Sequence, residues 1–168
     1  MRLVKIGLGN INATVGALDS NVDRLIEQAR GMAADGVTLA TFPEQVIGGY
    51  PAEDLVLWDA FVENQWAHLL RYAEATADFP MVSVLGVTIA HQGLRYNCAA
   101  VVAGGEVLGL TPKEKLPTYN VFYEGRTFAY GSEAIADEHK GLPFGDQIYE
   151  FDFGTISMAP SARSSSTP

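Results

Sequence analysis

The sequence predicts an α/β protein built on one mixed sheet. Three observations carry this. The chain opens strand, helix, strand; a long second helical stretch follows; three strand-like runs joined by short turns come next. A strand–helix–strand unit is most simply a parallel pair with a right-handed crossover. Strands joined by tight turns pair antiparallel. Both kinds of pairing therefore meet in one sheet.

In order, Leu3 to Leu8 alternates as a first strand, and Asn10 to Gly16 is a polar loop. Ser20 with Asp23 resembles a capping box, with Asp in place of the usual Glu or Gln. Val22, Leu25, Ile26, Ala29, Met32 and Ala33 then recur at helical spacing on one face, and Gly36 ends the helix. Val37 to Phe42 is a short apolar strand closed by Pro43 and Glu44. Gly48 to Pro51 is a turn cluster. From Glu53 to Ala77 the pattern is helical, with room for one break, and Leu55, Trp58, Phe61, Val62, Trp66, Leu69, Leu70 and Ala73 form the apolar face. Met81 to Ile89, Arg95 to Val102 and Glu106 to Thr111 read as strands, with Gly104-Gly105 a tight turn. Glu133 to His139 is expected as a solvated loop, Gln147 to Phe153 as a strand, and Ile156 to Met158 as the start of another. The last eight residues carry no apolar side chain larger than alanine and are expected not to pack.

With 168 residues the chain suits a single domain with a sizeable core. A net charge of −9 argues against nucleic acid and anionic membranes as partners. No apolar run reaches the roughly 18 residues a membrane span requires. A single cysteine, Cys98, forms no internal disulfide, and the first residues lack a signal peptide's apolar block, so a cytoplasmic setting is expected.

The candidate chemistry lies at strand ends. Glu44 directly follows an apolar strand and a proline; its carboxylate is either a group for acid–base work or a solvated turn charge. Lys113 and Lys115 follow the strand ending at Thr111, in a proline-punctuated loop running to Phe128, and are either surface charges or stabilisers of a developing oxyanion. Cys98, inside a strand beside Ala99, reads as a core thiol. His68, His91 and His139 lack metal-ligand spacing, and no Gly-rich phosphate loop or Ser/His/Asp motif is present, so no metal is expected.

Together these residues resemble the N-terminal glutaminase domain of the glutamine-dependent NAD+ synthetases, a branch of the nitrilase (carbon–nitrogen hydrolase) superfamily. The resemblance covers roughly residues 3 to 156. It rests on Phe42-Pro43-Glu44, on Gly49-Tyr50-Pro51-Ala52-Glu53-Asp54-Leu55, on Tyr96-Asn97, and on Lys113-x-x-Leu116-Pro117-Thr118-Tyr119-x-Val121-Phe122-x-Glu124-x-Arg126-x-Phe128. It implies about half of a four-layer α-β-β-α sandwich. It also implies roles: Glu44 as general base, Lys113 as oxyanion stabiliser, Glu124 as a second glutamate orienting the site, and Tyr119 as a contact to an L-glutamine substrate. Lys115 does not fall on the motif.

The departure lies at the end. The family's nucleophilic cysteine follows the strand that would continue from Gly154-Thr155-Ile156, inside a Cys-Glu-Asp motif, and here Ser161 to Pro168 stands instead. The family's ATP- and magnesium-using synthetase domain is not in this sequence. The expectation is therefore a truncated glutaminase domain over residues 1–158, an unstructured tail over 159–168, no cofactor of its own and no nucleophile. Such a chain would be inactive alone, with an open sheet face favouring a homo-oligomer. The alternatives are a different amidase completed by a second chain, or a non-catalytic binding module.

Overall fold

The computed structural model describes residues 4–120, 122–131 and 137–151. Its centre is a seven-stranded mixed sheet: β1 (Ile6–Leu8), β2 (Leu39–Thr41), β3 (Val82–His91), β4 (Leu94–Ala103), β5 (Glu106–Pro112), β6 (Asp137–His139) and β7 (Leu142–Phe144), in the order β1-β2-β3-β4-β5-β7-β6. β1, β2 and β3 are parallel, β3, β4 and β5 form an antiparallel meander, and β7 joins β5 in parallel and pairs with β6 as a hairpin. The mixed α/β sheet expected from the sequence is present.

Two helices, α1 (Leu18–Ala34) and α2 (Asp59–Ala75), make the crossovers and share one face of the sheet. α1 buries Val22, Leu25 and Ala29 completely, and burial of each larger side chain is worth on the order of 2 kcal/mol. Its end is a Schellman motif. Gly36 at φ 73° turns the chain, and the amides of Gly36 and Val37 donate to the carbonyls of Ala33 and Met32. Against these helices pack Leu85, Val87 and Ile89 of β3 and Tyr96, Cys98, Ala100 and Val102 of β4. The alternate residues Val82, Val84, Val101 and Ala103 face the other way.

Several local expectations are corrected. Ser20 and Asp23 form no capping box: α1 starts at Leu18 with Ala17 at the cap and no side-chain cap bond. Leu18 is core, and its burial pulls the helix start ahead of Ser20, whose hydroxyl donates to the Ala17 carbonyl. The helical stretch after Glu53 divides at Trp58, whose extended backbone separates a 3-10 turn (Glu53–Leu57) from α2. Trp58 and Leu70, expected in the apolar face, are exposed, while Tyr72 is fully buried and donates to the Ser83 hydroxyl. Asp137–His139, expected as solvated loop, is β6. Its His139 ring packs edge-on against Trp66 and accompanies Phe144, a tertiary gain that polar composition conceals.

Residues 147–151 form no strand. Their alternation reflects Tyr149 and Phe151 lying against Val82, Val101, Ala103 and Leu108 on the sheet face away from the helices. The strand expected at Ile156 to Met158 and the tail at 159–168 lie outside the described residues. No helix among the described residues is long and apolar enough to cross a membrane.

Candidate active site

β2, β3 and β5 run in the same direction, so the chain segments leaving β2 and β5 emerge at the same edge of the sheet, separated by β3 and β4. This edge, the carboxyl end of parallel strands, is where α/β sheets present side chains to ligands. Beyond β2 the backbone stays against β3. The Phe42 amide donates to the Val84 carbonyl at 2.8 Å, and the Gly86 amide donates to the Pro43 carbonyl at 3.2 Å. Glu44 follows, and Gln45, at φ 48°, turns the chain away. A left-handed conformation at a buried non-glycine residue is strained, and such strain is tolerated where the surroundings over-determine it. Here Gly86 permits the approach: a Cβ built on it would stand 2.2 Å from the Gln45 nitrogen and 2.6 Å from the Glu44 Cα.

Beyond β5 the Lys113 amide donates to the Asn97 carbonyl at 2.7 Å, adding one more bond to the β4–β5 ladder. The loop then swings out and returns. Leu116 and Phe128 are buried against Ala52 and Val56, pinning it to the 3-10 turn. The Ala129 amide donates to the Arg95 carbonyl and the Gly131 amide to the Lys113 carbonyl. Within the loop a short helix, α3 (Glu124–Thr127), carries Glu124 inward; its amide donates to the Pro117 carbonyl.

These three paths converge on one ammonium. Lys113 Nζ donates to both oxygens of Glu44 at 3.0 Å and to Glu124 Oε2 at 2.8 Å. Asn97 Nδ2 donates to Glu44 Oε1 at 2.6 Å. Burial works to raise the Glu44 carboxyl, but the bonds from Lys113 and Asn97 outweigh it and hold the group below its ordinary range. Glu124 goes the other way, raised by burial and by its neighbour Glu44 despite the Lys113 bond. Burial opposes the charge of Lys113, and the two carboxylates more than compensate, so it is raised. Two like-charged groups with opposite tendencies around a fixed cation suit proton transfer.

A cleft of about 250 Å³ opens beside this cluster, lined among others by Gln45, Tyr50, Tyr123, Glu124 and Arg126. The Tyr50 hydroxyl is pushed up by burial and by the charges of Glu124 and Glu44. Tyr119 is exposed, its ring edge-on to Phe122, and does not line that cleft. Lys115 is exposed and stands outside the cluster. Cys98 is buried in the core between sheet and helices, the face opposite to that of Asn97, and burial pushes its thiol far up. Among the described residues no group of three or more His, Cys, Asp or Glu is placed to hold a metal ion.

Asn97 and Tyr50 were not picked out as site residues from the sequence. An asparagine inside an apolar strand is a usable signal, because strands disfavour it unless something pairs with it. Tyr50 stood in the Gly49 to Leu55 motif of the resemblance, but no role was attached to it.

No family model matches the chain. Among curated proteins, the glutamine-dependent NAD(+) synthetase of Mycobacterium leprae is 36% identical over 143 residues, which are 85% of this chain and 20% of that protein. That of Acinetobacter baylyi is 37% identical over 151 residues, 89% of this chain and 27% of that protein. This chain is homologous to the N-terminal part of glutamine-dependent NAD(+) synthetases. It spans about a quarter of the length of these synthetases. The crystal structure of the synthetase from Cytophaga hutchinsonii superposes with a TM-score of 0.82 over 89% of this chain and 26% of that one, at 27% identity. A fold likeness reaches further: the Nesterenkonia AN1 amidase from the nitrilase superfamily matches with TM-score 0.65 at 22% identity, over 76% of this chain and 48% of that one. The chain thus has the α/β fold of nitrilase-superfamily proteins.

Proposed function

We propose that this synthetase homologue carries part of a glutaminase site, the half that holds the base and the oxyanion stabiliser. The observation that supports this most directly is the Lys113 ammonium bonded at once to Glu44 and Glu124. In this reading Glu44 takes the proton of a thiol, and the thiolate attacks the side-chain amide carbon of L-glutamine. The new carbon–sulfur bond leaves a tetrahedral oxyanion facing Lys113. Collapse breaks the carbon–nitrogen bond, with the proton from Glu44 passing to the departing ammonia. Water deprotonated by Glu44 then cleaves the thioester to glutamate. Glu124 holds Lys113 in place, and Tyr119 contacts the amino acid from the loop. In the synthetase reading the ammonia serves ATP-dependent NAD+ formation. ATP and magnesium belong to that step and not to residues 1–158, whose chemistry is cofactor-free. The setting is cytoplasmic.

The sequence has one cysteine, and Cys98 lies on the wrong face. The chain alone is therefore inactive, because loss of the nucleophile from a covalent mechanism removes most of its rate. Ammonia release from glutamine by the purified chain should not exceed that of a Lys113→Ala variant. Turnover clearly above that control would overturn the assignment of the missing nucleophile. The same lack of a thiol beside Lys113 favours a second reading, a module that binds glutamine without hydrolysing it. Heat on titration with glutamine, lost in Lys113→Ala, would select that reading.

A further inference from the structure

Asn97 is nearly fully buried in β4, where a polar side chain is costly unless its hydrogen bonds are made. Its side chain and main chain reach different members of the cluster. Nδ2 donates to Glu44 Oε1 at 2.6 Å, and its carbonyl accepts from the Lys113 amide at 2.7 Å. One residue therefore sets the position of both the carboxylate arriving from β2 and the lysine leaving β5. The two oxygens of Glu44 are not equivalent as a result. Oε1 accepts from Asn97 and from Lys113, and Oε2 accepts from Lys113 at 3.0 Å, while the Glu124 carboxyl and the Tyr50 hydroxyl also face this carboxylate from the loop and the turn. An oxygen already holding two donors has less lone-pair density to offer a proton.

We propose that Asn97 is a positioning residue that locks the Glu44 carboxylate and leaves Oε2 as its proton-accepting atom. The inference rests on Glu44 acting as the base. The neutral amide suits this task better than a second cation. It fixes the carboxylate and favours its ionised form without depriving it of basicity as strongly as another charge would. Across the sheet Asn97 stands opposite Thr88, also buried, so the amide has little freedom to turn away. The strand geometry provides the rigidity a loop residue would lack.

The test reads the carboxylate itself and needs no turnover. With glutamate carboxyl carbons isotopically labelled, the Glu44 resonance, assigned by its loss in Glu44→Gln, is followed through an acid titration in wild type, Asn97→Ala and Asn97→Ser. The expected result is an upward shift of the Glu44 midpoint in Asn97→Ala and a smaller one in Asn97→Ser, whose hydroxyl can still donate. Crystals of the alanine variant should show the carboxylate rotated from its two-oxygen contact with Lys113. A folded Asn97→Ala protein with lower melting temperature but an unmoved Glu44 midpoint would reduce Asn97 to a packing role and overturn the proposal. Should the alanine variant not fold, the serine variant decides by the same midpoint. A wild-type chain that shows these shifts yet takes up no glutamine in calorimetry would defeat the glutamine-site reading and leave the positioning role intact.

Discussion

Lys113 stands between two carboxylates that respond oppositely to their surroundings, and its removal should show this. The Glu124 side chain is only 6% exposed, so Lys113→Ala leaves a buried carboxylate without its cationic partner. A loss of about 1–3 kcal/mol is expected near neutral pH. The sign of the pH effect follows from the raised Glu124 carboxyl. A carboxyl raised in the fold binds its proton more tightly folded than unfolded, so stability improves as pH falls through the folded midpoint. Without Lys113 that midpoint rises further, and the deficit of the variant should shrink as the pH falls toward the carboxyl's ordinary value of 4.5. Urea unfolding at neutral and at mildly acid pH measures this, and an equal deficit at both would refute it. At this scale strand ends marked Glu44 and Lys113, and Glu124 was marked only through the resemblance of the loop that carries it. Asn97 stood in the motif without a role, because the role comes from a partner 53 residues away.

The element that places Glu44 is the tight bend after β2, and it depends on the bare backbone of β3. Gly86→Ala would put a methyl group against main-chain atoms of Glu44 and Gln45, which cannot yield as a flexible side chain can. Overpacking of this kind costs about 1–3 kcal/mol. The variant should also lose the Glu44–Lys113 contact. Chemical denaturation and a structure of the variant check both, and a stable variant with that contact intact would show that the bend adapts. An isolated glycine in a strand pattern is a recognised sign of close approach, so this contact had a trace in the sequence. The start of α1 and the strand β6 did not: Leu18 and His139 are placed by tertiary packing that outweighs capping preference and polarity. Alternation at Tyr149 and Phe151 was real but misleading, since a segment that lies across a sheet has a wet side and a dry side just as a paired strand does.

For the whole molecule, the decisive asymmetry is that both long helices lie on one face of the sheet. On the other face Ile6 and Leu8 of β1 are 58% and 78% exposed, and among the described residues Tyr149 and Phe151 cover the region near β3 to β5. Exposed apolar surface beside an unpaired strand edge favours association. Sedimentation of the chain should show mass rising with concentration, and Leu8→Lys should weaken association by about tenfold, near 1.4 kcal/mol. A monomer at all concentrations would disprove this. The mixed α/β sheet itself was legible from periodicity, because crossovers and tight turns leave few ways to join the strands. The order of the sheet has a kinetic consequence as well. The meander from β3 to β5 closes through neighbouring turns, whereas β1 reaches β2 only across α1, and β2 reaches β3 only across α2. Short-range closure is faster because it forfeits less chain entropy. The lysine and the asparagine are therefore expected to meet early, on the locally formed ladder, and the carboxylate of Glu44 to be delivered to them by the slower, long-range pairing of β2 with β3.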